Sequence, residues 1–414
     1  MPPPRDVTTP ETLPPKVRVH VLGAGPVGLL LTGLLQPSER FAVQLYEKRR
    51  DYTRARMVQL ASFLVADSVE SYCTDHIDDG TIQAVFDRPE LEESLAVRHS
   101  IPPDLMALLR GWAKGFAPLN GIERSLSDLI AARQSHPVQR TTADVTAEDA
   151  MAMLEPGDVL IDCTGSKSVL RDRLAPGAAA EDAAANTFKI RMEYALVVTF
   201  LYGRPYDCNE YCKYYKNVEN AHYKFIPAVN RTYYDGSVSH VTGIVTISPE
   251  EYARMPSRFD GPWLRANFPD VAQSMDRFID KVKQETHGEV IGNLEIIRIP
   301  LDLYRARHAT SRQWRRAGAG DHPFARSPVF LVGDAAMGSP YFQSISLGFE
   351  CAMFLTRLLA ERDVPVSDIF DRYEMYAYKQ WLRVYMRSRL IKHNKDLLQC
   401  VGDPSALLQQ LHIY

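Results

Sequence analysis

The chain has 414 residues, 45% of them hydrophobic and 24% charged, the balance of a globular protein able to bury a sizeable core. With 48 basic and 51 acidic side chains the formal net charge is −3, so no broad basic field exists to hold nucleic acid or an anionic membrane surface, and a small-molecule partner is expected. No apolar run is long enough to span a bilayer and no basic-then-apolar leader is present, so a cytoplasmic location is the default expectation.

Residues 1–16 carry Pro2, Pro3, Pro4, Pro10, Pro14 and Pro15 and almost no aliphatic side chains, which predicts a disordered tail. From Val17 to Leu22 the pattern alternates and then turns apolar, as a strand entering a buried sheet does. A turn at Gly23 to Gly28, a buried helix from Leu29 to Leu35 stopped by Pro37, and a second strand from Ala42 to Tyr46 follow. Residues 52–72 and 104–135 read as mainly helical, the latter interrupted around Pro118 to Gly121, and Asp158 to Cys163 reads as a strand after Pro156-Gly157. The middle of the chain then changes character. Tyr194 to Tyr202, Tyr223 to Ile226 and His240 to Ile247 are rich in β-branched and aromatic residues with turn signals between them, which predicts an antiparallel sheet as a second layer. A helix from Pro269 to Gln284, a strand from Leu294 to Leu303, a return strand from Pro328 to Val332, a helix from about Ser346 and a last long helix from Val366 to Leu398 complete the series. Six scattered cysteines offer one close pair, Cys208 and Cys212, with nothing to complete a zinc site, so reduced thiols and no bound metal are expected.

Gly23-Ala24-Gly25-Pro26-Val27-Gly28 fits G-x-G-x-x-G between a predicted strand and a predicted helix. In a dinucleotide site Gly23 makes the tight turn, Gly25 admits a pyrophosphate close to the backbone, and Gly28 lets helix and strand touch. The helix N-terminus that follows presents free N–H groups and a positive dipole end to the phosphate, so Pro26 and Val27 join the three glycines as candidate cofactor residues. Glu47 ends the second strand, where a carboxylate accepts from the ribose hydroxyls of an adenosine. Lys48, Arg49, Arg50, Arg54 and Arg56 follow; the run serves equally as a solvated loop, with Arg49 and Arg54 the best placed to meet phosphate.

A simple nicotinamide dehydrogenase continues with further βα units. Here a β-rich layer intervenes, and the chain returns with Val329-Phe330-Leu331-Val332-Gly333-Asp334-Ala335-Ala336. Asp334, at the end of a strand and before a helix, is suited to accept from sugar-like hydroxyls. Three segments, Val21 to Arg49 with Thr53-Arg54, Ile161 to Arg171 leading to Tyr194 to Phe200, and Val332-Gly333-Asp334 through Pro340 to Met353, resemble the FAD-dependent group A flavoprotein monooxygenases, and among them the monooxygenase domain of the MICAL proteins. Ile122-Glu123-Arg124-Ser125-Leu126 is a shorter fourth match, to a helix whose arginine lies near the flavin.

The resemblance implies an α/β fold: a Rossmann-like FAD-binding domain, an inserted, mostly antiparallel β-sheet substrate domain, and a C-terminal helical region. The expected boundaries are 17–185 and 327–362 for the FAD-binding parts, 186–326 for the substrate domain and 363–414 for the helical region. It adds Arg124, Thr164, Gly165, Pro340 and Ser346 to the cofactor residues. It further implies NADPH or NADH as electron donor, dioxygen as co-substrate, a flavin hydroperoxide, and hydroxylation of a small aromatic or polycyclic molecule. Three departures stand out. Thr164-Gly165 replaces the family's Asp-Gly, Phe342-Gln343-Ser344-Ile345-Ser346 lies where glycines are favoured, and Met337 replaces a histidine. A halogenase is a weaker alternative because Trp112, Trp263, Trp314 and Trp381 form no Trp-x-Trp; a reductase or dehydrogenase, or a binding protein that has lost catalysis, stay open. The many tyrosines between Tyr194 and Tyr234 either line a substrate pocket or pack the sheet. His222, His240 and His308, and Arg298, Arg305 and Arg307, are weak candidates for polar roles, and no catalytic base is assigned.

Overall fold

Val17–Leu22 (β1) is buried at every position but Arg18 because it is the middle strand of a parallel sheet covered on both faces. The structure is a computed structural model that describes residues 12–54, 57–73, 76–113, 116–175, 186–203, 223, 225–232, 238–286, 289–318, 321–339 and 344–400. On one side β1 pairs with Phe41–Glu47 (β2), in register from Val17 with Phe41 to Leu22 with Tyr46. On the other it pairs with Val159–Asp162 (β6), which in turn pairs with Val329–Leu331 (β12). Gln139–Thr142 (β5) lies beside β2 and completes the order β12-β6-β1-β2-β5. Because these pairings are parallel, Leu22, Glu47, Asp162 and Leu331 all finish at one edge of the sheet. Ligands of open α/β sheets bind at that edge.

Pro26–Leu35 (α1) packs on this sheet, with Leu29, Leu30, Leu31 and Leu35 fully buried. Leu119–Ala132 (α2) lies against it through Ile122, Leu126 and Ile130, a spacing of four that puts all three on one helical face. The region 52–72, expected to be helical, is instead a strand Met57–Gln59 (β3), a 3-10 turn Ser62–Val65 and a short helix Val69–Tyr72. β3 pairs with Phe116–Pro118 (β4), so a long-range pairing overrides the local helix preference.

The second layer is antiparallel, as expected. Thr187–Tyr202 (β7) sits between Ser239–Ile247 (β9) and Val290–Ala306 (β11), with Ile226–Thr232 (β8) and Arg258–Phe259 (β10) at the edges. Leu196, Val198, Phe200 and Tyr202 alternate on one face of β7 and pack with Val271, Met275, Ile279 and Val282 of Pro269–Thr286 (α3). Met337–Gly338 (β13) pairs with the end of β11 and joins the two layers. Ser344–Ala360 (α4) and the 35-residue Val366–Cys400 (α5) close the fold; at 1.5 Å per residue α5 is about 52 Å long. The tail differs from expectation at its end: Leu13 is buried and Thr12 bridges to Pro365, whereas residues 1–11 lie outside those described.

Candidate functional site

The edge where the parallel strands finish opens into a cavity of about 350 Å³. Gly23 has φ of +92°, and its N–H donates to the Tyr46 carbonyl at 2.8 Å; a Cβ there would stand 2.7 Å from the Cys163 carbonyl oxygen. A Cβ on Gly28 would stand 2.0 Å from the Gly23 carbonyl oxygen, so the first turn of α1 touches the Gly23 turn. Gly25 is different in kind. Its φ is −73°, and a Cβ there would meet only the Arg54 guanidinium, at 3.5 Å, because the position faces the cavity. Gly25 is also the N-cap of α1 and offers no side chain to the first turn, which leaves the helix's positive end directed at the cavity together with Pro26 and Val27.

Glu47 lines the same cavity and is only 5% exposed. One carboxylate oxygen accepts from the Ala24 N–H at 2.8 Å; the other accepts from the Arg49 N–H and Nε, each at 3.0 Å. Burial raises its carboxyl, but the Arg49 guanidinium and the Arg49 and Ala24 amides outweigh that and hold it below the ordinary carboxylate value. Arg49 and Arg54 line the wall beside it, as does Lys48, whose ion pair with Asp144 at 3.7 Å lies in solvent and contributes little.

The arginine expected from α2 is not there. Arg124 is on the exposed side of the helix and donates to the Tyr52 carbonyl at 3.3 Å. The preceding residue, Glu123, is fully buried instead: its Oε1 is ion-paired with Arg54 and lies 4.0 Å from Arg49, and its Oε2 has no partner. Burial pushes the Glu123 carboxyl up despite both arginines. Thus α2 contributes an anion that holds the cavity's two guanidiniums in place.

Thr164 is held by an acid that precedes it. Asp162, fully buried at the end of β6, accepts from the Thr164 N–H at 2.8 Å and hydroxyl at 2.6 Å through one oxygen. Its other oxygen accepts from the Ser168 hydroxyl at 2.6 Å and the Leu170 N–H at 3.1 Å. The acid that organises this loop therefore precedes it by two positions. Thr164 and Gly165 line the cavity, and Gly165, with φ of +89°, makes the bend.

At the far end Asp334 lines the cavity within the turn Gly333–Ala335. The turn is held from behind by Arg171, which donates to the Asp334 and Ala335 carbonyls at 3.3 Å and to Ser166 O at 2.6 Å, and lies 5.0 Å over the Tyr304 ring. The Tyr304 hydroxyl donates to the Asp334 carbonyl at 2.8 Å. Ser346 is fully buried and accepts from the Ala61 N–H at 3.0 Å, so it fixes the loop after β3, while its neighbours Ser344 and Ile345 face the cavity. Pro340 and Phe342 lie outside the described residues.

Other candidates settle into packing roles. The Tyr194 ring packs at a 38° tilt against Tyr252, centroids 4.3 Å apart, Tyr202 is wholly buried, and Tyr223 is bonded to Glu251. Arg298 caps Tyr252 with its guanidinium 4.3 Å over the ring. Tyr206, Tyr211, Tyr214, Tyr215, His222, Tyr233 and Tyr234, like Cys208 and Cys212, lie outside the described residues. Cys73, Cys163 and Cys351 form no disulfide among the described residues. No histidine lines the cavity among the described residues, and no described helix is long and apolar enough to cross a membrane.

No family model and no curated protein sequence matches the chain. Among solved structures it is similar to the Diels–Alderase PyrE3 of pyrroindomycin biosynthesis, with a TM-score of 0.51 and 17% identity over 95% of this chain and 77% of that one. It is also similar to the R204Q form of HpxO from Klebsiella pneumoniae complexed with FAD (TM-score 0.49, 16% identity, 96% and 95% covered). The tetracycline destructase Tet(51) aligns with a TM-score of 0.47 and 12% identity over 94% and 96%. At 17% identity the likeness to PyrE3 is one of fold.

Proposed function

We propose that the chain is an FAD-dependent monooxygenase that uses NADPH or NADH and dioxygen to hydroxylate a small, aromatic or polycyclic molecule. The observation that carries the reading is the cavity itself. It sets an uncapped helix N-terminus and the side-chain-free Gly25 between Glu47, at the end of β2, and Asp334, just after β12, a set of donors and acceptors suited to a dinucleotide.

The residues fit the group. Val27 and Gly28 amides with Arg49 or Arg54 would hold the pyrophosphate, Glu47 the adenosine ribose, and Asp334 the ribityl hydroxyls. FAD, when bound, supplies the redox chemistry that activates dioxygen. The chain's own part is to bind, orient and exclude water. Glu123 keeps two guanidiniums at the cavity wall, Asp162 fixes the Cys163 to Leu170 loop, and Arg171 with Tyr304 fixes the turn that presents Asp334. Ile345 adds an apolar side chain to the cavity wall. The narrower affinity to the MICAL monooxygenase domain rests on the three sequence segments alone.

The test is direct. Purified protein is expected to be yellow, or to become so on reconstitution with FAD, and to oxidise NADPH or NADH faster when a suitable member of a panel of aromatic compounds is present, with one oxygen atom found in the product. Colourless protein that takes up no FAD refutes the cofactor. Reduced product without oxygen identifies a reductase, and halide in the product a halogenase.

A further inference from the structure

A second cavity, of about 240 Å³, lies on the other side of the Asp334 turn, lined by Arg305, Arg307, Arg312, Met337, Met375 and Tyr378 among others. Its charges are unbalanced. The two acids on its wall are engaged: Asp371 is ion-paired with Arg312, and Glu374 accepts from the Thr310 N–H at 3.2 Å and hydroxyl at 2.8 Å while lying 3.7 Å from Arg312. Among the described residues neither Arg305 nor Arg307 is ion-paired with a carboxylate. Arg305 is instead caged by aromatic rings, 5.6 Å from Phe188, 5.1 Å from Tyr378 and 5.3 Å from Trp381; among the described residues its side chain donates only to the Ala306 carbonyl at 3.1 Å, and its buried Nε has no partner.

Rings on its faces fix a guanidinium's plane and leave its edge to bond in that plane. Burial, with the like charge of Arg307 adding to it, lowers the Arg305 pKa, so an anion in the cavity would relieve both. The remaining wall is apolar, with Met375 55% exposed at the mouth and Ala336, Ala377 and the Tyr378 ring within. The volume is below the roughly 300 Å³ at which drug-sized pockets begin.

We infer that this cavity binds a small organic carboxylate, its carboxylate on the edges of Arg305 and Arg307 and its apolar body against Met375 and Tyr378. The inference is independent of the cofactor reading, since none of these side chains lines the first cavity. The site is nonetheless adjacent to it: Arg305 pairs across the ladder with Met337, and the Ala306 N–H donates to the Ala336 carbonyl at 2.6 Å, just beyond the Asp334 turn.

Titration calorimetry of the full chain with benzoate tests it, with inorganic phosphate as the body-free comparison and Trp381 fluorescence as a second signal. Saturable benzoate binding is expected, weakened at least tenfold in Arg307→Ala and in Met375→Asp. Both replaced side chains are on or near the surface, so neither variant should affect folding, which equal melting temperatures would verify. No saturation with benzoate overturns the inference. So does benzoate affinity unchanged in both variants, which would place the ligand outside this cavity, and so does phosphate binding as tightly as benzoate, which would leave the apolar wall without a role.

Discussion

Replacing Gly25 and Gly28 by alanine separates a glycine needed by a ligand from one needed by the fold. At Gly28 the new methyl would lie 2.0 Å from the Gly23 carbonyl oxygen, a backbone atom that cannot rotate aside. The expected loss of stability is about 3 kcal/mol, the upper part of the usual range for overpacking. At Gly25 the methyl meets only the mobile end of Arg54 at 3.5 Å, and φ of −73° suits any residue. Alanine is a poorer N-cap than glycine by roughly 0.5–1 kcal/mol, and a less flexible unfolded chain returns about 0.4–1 kcal/mol, so stability should change little. The methyl does, however, occupy space in the cavity where a phosphate would approach the helix amides. Loss of one charge-assisted bond, about 1.5–3 kcal/mol, weakens FAD binding roughly 10- to 100-fold. The assay is urea denaturation of the flavin-free variants beside fluorescence titration of each with FAD; Gly25→Val should retain no flavin at all. Undiminished FAD affinity in Gly25→Ala, or equal destabilisation by the two alanines, would refute the reasoning.

Asp334→Ala should weaken FAD binding by about 1–3 kcal/mol with little change in melting temperature, because the turn is held through main-chain carbonyls by Arg171 and Tyr304; unchanged affinity would leave Asp334 a turn residue only. Asp162→Ala strands the Thr164, Ser168 and Leu170 donors and should cost about 2–4 kcal/mol in urea denaturation, with flavin uptake falling as the loop loosens; a loss below 1 kcal/mol would show that water replaces the carboxylate. Burial lowers the pKa of His20 from 6.5, against the pull of Asp158. The unfolded chain then binds the extra proton first as pH falls, so this histidine's contribution to stability is retained above pH 6.5 and lost from there down to the folded pKa. His20→Gln should flatten the stability profile in that interval, and a parallel profile would count against the assignment.

The parallel sheet and its βα turn were legible because their signals are local: an apolar strand, three glycines at fixed spacing and an acid ending the next strand lie within one contiguous stretch. The cavity accordingly gathers Gly23, Gly25, Pro26, Val27, Glu47, Lys48, Arg49, Arg54, Thr164, Gly165 and Asp334. What sequence did not reveal depends on contacts made far along the chain. Glu123 and Arg124 are adjacent on a helix, about 100° apart, and only the packing of α2 on α1 decides which is inward. Arg171 was visible as part of a motif, but its task of holding residues 334 and 335 is set by the pairing of β12 with β6. The misread stretch 52–72 failed for a similar reason, since β4, its pairing partner, lies some 60 positions later.

One buried cluster bears on how the chain tolerates shortening. Glu350, midway along the helix that fronts the first cavity, is 1% exposed and ion-paired with Arg98. Its second oxygen accepts from the hydroxyls of Tyr376 at 3.0 Å and Tyr72 at 3.2 Å, and Gln380 donates to the Tyr376 hydroxyl at 2.9 Å. Two of these partners belong to α5. Cutting the chain before them would leave the Glu350 side chain short of a donor behind the wall of the first cavity, so α5 is a wedge that keeps that wall upright.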